Sequence, residues 1–135
     1  MTNSKKQAMF EKMREFVDEA RDKDVRFKTY NIATEEKSTK HAGKIVVAYT
    51  KPFLDIRTGH TVVGLGIAFC SPKDEFTRLQ GRGIAAARLL HSKRPWVIPV
   101  LKSQKLNDIL PLAIWAVAHQ KGVTWMRGKN LGDFR

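Results

Sequence analysis

With one cysteine in 135 residues, Cys70, the chain has no intramolecular disulfide to form. A packed core must hold the fold, and a reducing compartment is the simplest expectation. Acidic side chains are scarce as well: 13 Asp and Glu stand against 25 Lys and Arg, a formal net charge of +12. Such an excess attracts polyanions, namely nucleic acid, nucleotides or an anionic membrane. No apolar run approaches the length of a membrane span, and the N-terminus leads into a charged amphipathic segment unlike a signal sequence. A cytoplasmic protein that does not engage membranes is therefore expected. The Gly-x-x-x-x-Gly-Lys-Ser/Thr phosphate loop is missing. His41, His60, His91 and His119 show no ligand spacing with one another or with Cys70, so neither a metal nor another cofactor is expected. Internal repeats and low-complexity tracts are also lacking.

What is present fits one domain over 1–135, long enough to bury a core without staples. The charge is unevenly placed. Residues 1–50 hold 11 basic and 8 acidic side chains, whereas 51–135 hold 14 and 5. The excess lies downstream, around a stretch from Thr61 to Arg94 that organises the chain. Its first part, Thr61 to Cys70, reads as a strand with Val63, Leu65, Ile67 and Phe69 on one face. Val62, Gly64, Gly66 and Ala68 form a nearly bare second face, which leaves space for a helix or a ligand. Ser71 and Pro72 then suit a helix N-cap and first position, and Asp74 and Glu75 suit the positive end of its dipole.

At one hundred degrees per residue, Phe76, Leu79, Gly83, Ile84, Ala86, Ala87 and Leu90 share the packing face of that helix. Asp74, Arg78, Arg82, Ala85 and Arg88 share the other. Gly81 falls on the exposed arc, where it would leave room for a partner.

Elsewhere, apolar residues from Met9 to Ala20 recur at spacings of three and four, which predicts a helix over 5–23 with a mixed-charge solvated face. Strands are expected at 25–32, at 44–50 paired antiparallel with 61–70, and at 96–101, where Pro99 requires an edge position. A polar loop at 34–43, carrying Lys37, Lys40 and His41, and the tail 127–135 are expected to be mobile. The segment 104–121 reads as helical, interrupted or restarted near Pro111 and apolar nearly all round, buried in the chain or against a second copy as a homodimer. Together these elements predict a small α+β fold: a mainly antiparallel sheet of three to four strands with helices packed on one face.

Arg78, Arg82 and Arg88, continued by His91, Lys93 and Arg94 and joined by Lys73 and Arg57, form the candidate phosphate-binding set. Arginine presents a rigid fork of donors matched to phosphate, and nothing acidic follows Glu75 until Asp108. Trp96 beside these cations could stack on a base, although the apolar residues after it favour burial. Cys70 could be a stabilised thiolate ahead of a helix, or a small buried residue. Asp55, Asp74 and Glu75 are the carboxylates that a metal-dependent nuclease would have to bring together.

Two resemblances add to these readings. The order helix, strand, strand, helix, with Val-Val-Gly-Leu-Gly-Ile at 62–67 and an Ala-rich basic helix behind it, resembles a double-stranded-RNA-binding domain. Over residues 5–91 that implies an α-β-β-β-α layout, with the strand at 25–32 as the first of three. Where that family carries a lysine run, this chain has Lys73-Asp-Glu75. A second pattern, Phe69-Cys-Ser-Pro-Lys-Asp-Glu-Phe76 followed by Arg78, Gly81-Arg82, Ile84-Ala85 and Arg88, is similar to small uncharacterised bacteriophage proteins and implies a viral origin without an assigned activity.

The expected function is non-enzymatic binding of nucleic acid, DNA or RNA, through its phosphates, in phage-encoded regulation. The alternatives are a phage-type inhibitor or ligand sponge that engages an acidic host protein or a nucleotide through the same basic surface, and the metal-dependent nuclease.

Overall fold

The computed structural model describes residues 3–33 and 43–135. The apolar spacing of the first segment yields helix α1, Asn3–Asp22, and Asp24, at a φ of 59°, turns the chain into strand β1, Arg26–Ile32. Most of the expected loop 34–43, including Lys37, Lys40 and His41, lies outside the described residues. The chain then forms β2 (Gly43–Tyr49), β3 (Phe53–Leu54) and β4 (Thr61–Cys70), followed by helix α2 (Arg78–Leu90). Strand β5 (Trp96–Pro99) and helix α3 (Leu106–Lys121) complete the regular elements. Among the described residues no helix is long and apolar enough to cross a membrane.

Strands β1, β2 and β4 are antiparallel neighbours in that order, and β3 and β5 both pair with β4. Tyr49 opposes Leu65 and Phe53 opposes Val62, so the chain uses one residue more than β4 between those pairs. Pro52 sits in that bulge, where the ladder needs no donor. Thr50 seals it, because its N–H donates to the Gly64 carbonyl at 3.1 Å and its Oγ1 accepts from the Gly64 N–H at 3.0 Å. Pro99 is the last paired residue of the edge strand β5.

Alternation along the strands builds a core on each face of the sheet. Ile45, Val47, Val63, Leu65 and Ile67 pack with Leu110, Ile114 and Val117 of α3. Val46, Ala48 and Ala68 pack on the opposite side with Ala20 of α1 and Ala85, Ala86 and Leu89 of α2. The small, mainly antiparallel α+β fold is as expected. The layering needs correction: helices cover both faces, because β2 is apolar on both sides and α3 meets the face opposite α1 and α2. Eight of the nine largest fully buried side chains belong to the α3 side. At about 1.5–3 kcal/mol for each buried Val, Leu or Ile, that layer supplies most of the hydrophobic stabilisation.

The bare face of β4 is covered by α2. A Cβ on Gly66 would stand 2.0 Å from the Ala85 carbonyl oxygen and 2.6 Å from the Leu89 nitrogen, so helix backbone rests on strand backbone. α1 lies alongside in the same sense, with Met13 against Gly83 and Glu19 reaching His91. The burial arc of α2 is therefore set by small residues, Gly81, Gly83, Ala85 and Ala86, together with Leu89. This corrects two expectations. Gly81 faces Val46 and Phe76, not a partner, and Ala85 is buried in the middle of the supposed arginine face.

The start of α2 also lies later than expected. Ser71 to Asp74 is a β-turn with Pro72 in its second position, in which the Asp74 N–H donates to the Ser71 carbonyl at 3.0 Å and the Lys73 N–H to Ser71 Oγ at 3.2 Å. Thr77 is the N-cap, its hydroxyl accepting from the Gln80 N–H at 3.2 Å. Asp74 and Glu75 consequently stand outside the first turn. α3 runs through Pro111 without a break and ends on Gly122 in the left-handed region. The tail 127–135 is tied to β1, where Asn31 and Arg135 exchange backbone hydrogen bonds of 2.7 and 2.8 Å and Phe134 bridges to Ile32.

Candidate nucleic-acid interface

The crossing of α1 and α2 assembles a groove of about 430 Å³ lined by Arg14, Val17, Asp18, Arg21, Arg78, Leu79 and Arg82. Each helix contributes two arginines. Arg78 and Arg82 are one turn apart on α2, and Arg14 and Arg21 are two turns apart on α1, which puts each pair on one stripe of its helix. Asp18 is the single carboxylate in the lining. Among the described residues none of the four arginines makes an ion pair.

Arg82 is the most constrained of the four. Its guanidinium carbon stands 5.7 Å from the Phe27 ring centre, a contact that attracts a cation to the aromatic face. Its Nε is buried without a hydrogen-bond partner among the described residues. Burial, followed by the charges of Arg78 and Arg21, lowers its pKa from the usual arginine value. Four cations against the single carboxylate Asp18 raise the local potential and favour a polyanion.

The remaining expected site residues are dispersed. Arg88 is about 120° around the helix from Arg82, and the buried Ala85 lies between them. Arg88 leans over the edge of β4 and donates from Nη1 to the Ile67 carbonyl at 2.6 Å. It lines a second cavity with Ser92, Arg94 and Lys121. His91 caps α2, and its Nε2 lies 2.8 Å from Glu19 Oε2. Its ring centre is 5.4 Å from that of Phe16. The bond to His91, then that to Lys23, holds the Glu19 carboxyl below its usual pKa. His91 thus fastens α1 to α2.

Lys93 is exposed in the turn after α2, and Lys73 stands in the Ser71–Asp74 turn; neither lines the groove. Arg57 is in the β3–β4 hairpin, where its N–H donates to Asp55 Oδ1 at 3.1 Å. That hairpin precedes β4, whereas Arg78 follows its far end. The structure thus gathers Arg78 and Arg82 with two α1 arginines, brings Arg88 and Arg94 together at a second cavity, and leaves the other four apart. Arg14 and Arg21 escaped the sequence reading because the first helix mixes charges; their seven-residue spacing beside the Met13, Val17, Ala20 stripe was the available signal.

The other candidate chemistries also acquire positions. Asp55 precedes β4 and Asp74 and Glu75 follow it, so a strand of roughly 30 Å separates these carboxylates. Among the described residues no three His, Cys, Asp or Glu side chains form a group able to hold a metal ion. Cys70 lines a cavity of mixed polarity, about 370 Å³, with Val46, Ala68, Phe76 and Ile84 on its apolar side and Asp74, Glu75, Thr77 and Gln80 on its polar side. Burial and then Asp74 push its thiol pKa up, against the stabilised-thiolate reading. Trp96 is half-buried and packs on the α3-side core. No family model, curated protein or solved structure matches this chain.

Proposed function

We propose that this protein binds nucleic acid non-enzymatically through the phosphate backbone, with Arg14, Arg21, Arg78 and Arg82 as the contacting residues. The observation that carries this reading is the convergence of four arginines from two helices on one groove, with no ion pair among the described residues. Guanidinium groups form bidentate, charge-assisted hydrogen bonds to phosphate oxygens. The path of residues 3–90 supports the same reading: α1, antiparallel β1, β2 and β4, then α2, with both helices on one face of the sheet. That is the layout implied by the resemblance to double-stranded-RNA-binding domains, so duplex RNA is the first polymer to try.

The test is fluorescence anisotropy with labelled duplex RNA, duplex DNA and single strands across a range of salt. Four phosphate contacts give a slope of log K against log salt of about −3.6 on a duplex. Replacing Arg78 and Arg82 together with Ala halves the slope, to about −1.8, on the same scaling. Replacing Lys73 and Arg57 together leaves both slope and affinity close to wild type. Binding by the Arg78/Arg82 variant equal to wild type overturns the site. Absence of binding to any polymer at low salt overturns the function, in favour of an acidic protein or a nucleotide as the ligand of this surface.

A further inference from the structure

The second cation-lined cavity lies where α2, the turn after it and the end of α3 meet around the open edge of β4. β5 pairs with β4 only as far as Leu65. Beyond that point the Ile67 carbonyl is satisfied by Arg88. Around this edge, Ile67, Arg88, Ser92, Arg94, Pro95, Trp96 and Lys121 line a solvent-open pocket of about 170 Å³, with the three cations exposed at its rim. Three of the lining residues are cations from three different segments and none is acidic. Among the described residues none of the three makes an ion pair.

Basic residues in the last turns of α2 and α3 have an ordinary explanation, since cations complement the negative end of a helix dipole. That accounts for Arg88 and Lys121 singly. It does not account for Arg94, which belongs to neither helix, nor for all three lining one cavity. Lys121 bears the cost of the arrangement: burial, and then the nearby Arg88 charge, lower its pKa. An anion seated between them would relieve that repulsion. Arg88 uses one donor on Ile67 and retains others for a ligand. Arg94 is steadied by its own N–H donating to Ser92 Oγ at 3.4 Å, and Trp96 supplies an aromatic wall. The volume suits a tetrahedral oxyanion with a small substituent and is too small for a polymer backbone to thread.

We propose that the cavity framed by Arg88, Arg94 and Lys121 is a binding site for a phosphate monoester dianion, separate from the α1–α2 groove. Such a group comes either from the end of a nucleic-acid strand or from a free nucleotide. The site does not depend on the groove's function, so the two fail separately.

The test uses the full chain and nitrogen-resolved NMR of the indole N–H groups of its three tryptophans. Inorganic phosphate, added at constant ionic strength against chloride, moves the Trp96 resonance saturably, with a Kd of about 1 mM or tighter. Trp115 and Trp125, which do not line the cavity, stay in place. R94Q and K121Q each weaken the effect at least tenfold, while K93Q, which removes an equal charge from the same turn, and R78A leave it unchanged. A linear, unsaturating shift, or equal loss in K93Q, overturns the pocket. Two further ligands then assign the source. Tighter binding of a 5′-phosphorylated than of a 5′-hydroxyl oligonucleotide, abolished by R94Q, supports a strand end. Equal binding of the two oligonucleotides, with AMP acting as phosphate does, supports a free nucleotide.

Discussion

The contact between α2 and β4 makes Gly66→Ala the most demanding perturbation of this fold. The added methyl would stand 2.0 Å from the Ala85 carbonyl oxygen, 2.6 Å from the Leu89 nitrogen and 2.9 Å from Leu89 Cβ. The two nearest atoms are backbone, so no rotamer change relieves the clash. Restoring ordinary contact requires α2 to move off the sheet by more than about 1 Å, and overpacking of this kind costs roughly 1–3 kcal/mol or more. The upper end applies here because Ala85, Ala86 and Leu89 would lose contact together. A loss of about 3 kcal/mol lowers the melting temperature of a chain this size by about 10 °C. Gly59→Ala is the comparison. Nothing stands within 4 Å of its added Cβ, and only its φ of 75° resists the change, at a cost of about 1 kcal/mol. Thermal and urea unfolding followed by circular dichroism measure both variants. If Gly66→Ala melts within 2 °C of wild type, or above Gly59→Ala, α2 does not rest on β4 as described. The same variant displaces Arg78 and Arg82 relative to Arg14 and Arg21, so the nucleic-acid affinity proposed for that groove should fall even at temperatures where the protein stays folded.

Tyr30 is buried, and burial with a smaller effect of Tyr49 raises its pKa to about 12. The folded state therefore holds the phenol proton more tightly than the unfolded chain: this contribution is intact below pH 10, the ordinary value, and is lost as pH rises towards 12. Ultraviolet titration of a Tyr49→Phe variant should show phenolate only near the upper value; ionisation near pH 10 in the folded protein would refute the burial argument. Because the Tyr30 hydroxyl has no partner among the described residues, Tyr30→Phe should be neutral or stabilising by about 1 kcal/mol in urea unfolding, and a comparable loss would reveal a missed partner. For Glu19, whose carboxyl pKa is lowered from 4.5 by His91 and then Lys23, the sign is reversed. Its contribution is present above 4.5 and lost as pH falls through the lowered value. Carboxyl-carbon NMR should find the Glu19 pKa rising in His91→Ala; an unchanged value would mean that the α1–α2 fastening is absent.

Local spacing and alternation in the sequence determined the elements themselves. The three-and-four spacing from Met9 to Ala20 gave α1, and the apolar runs at 44–50 and 61–70 gave the central antiparallel pair. Pro99 fixed β5 at an edge, and Gly122 ended α3. The excess of cations and the shortage of acids after Glu75 likewise belong to the sequence, and they marked a chain suited to polyanions.

Tertiary structure decided which surfaces stay open. Laying α2 on a wheel assigned its large apolar residues to packing and its arginines to solvent. In the fold, Gly66 lets the helix backbone touch the strand, so the small residues Gly81 and Ala85 became the contact and divided the arginines. Arg82 fell to the α1 side and Arg88 to the sheet edge. Arg14 and Arg21 joined the groove only because α1 packs beside α2, and Lys121 reached Arg88 only because α3 covers the opposite face. Such juxtapositions connect residues dozens of positions apart through close backbone contact, and no local periodicity encodes them.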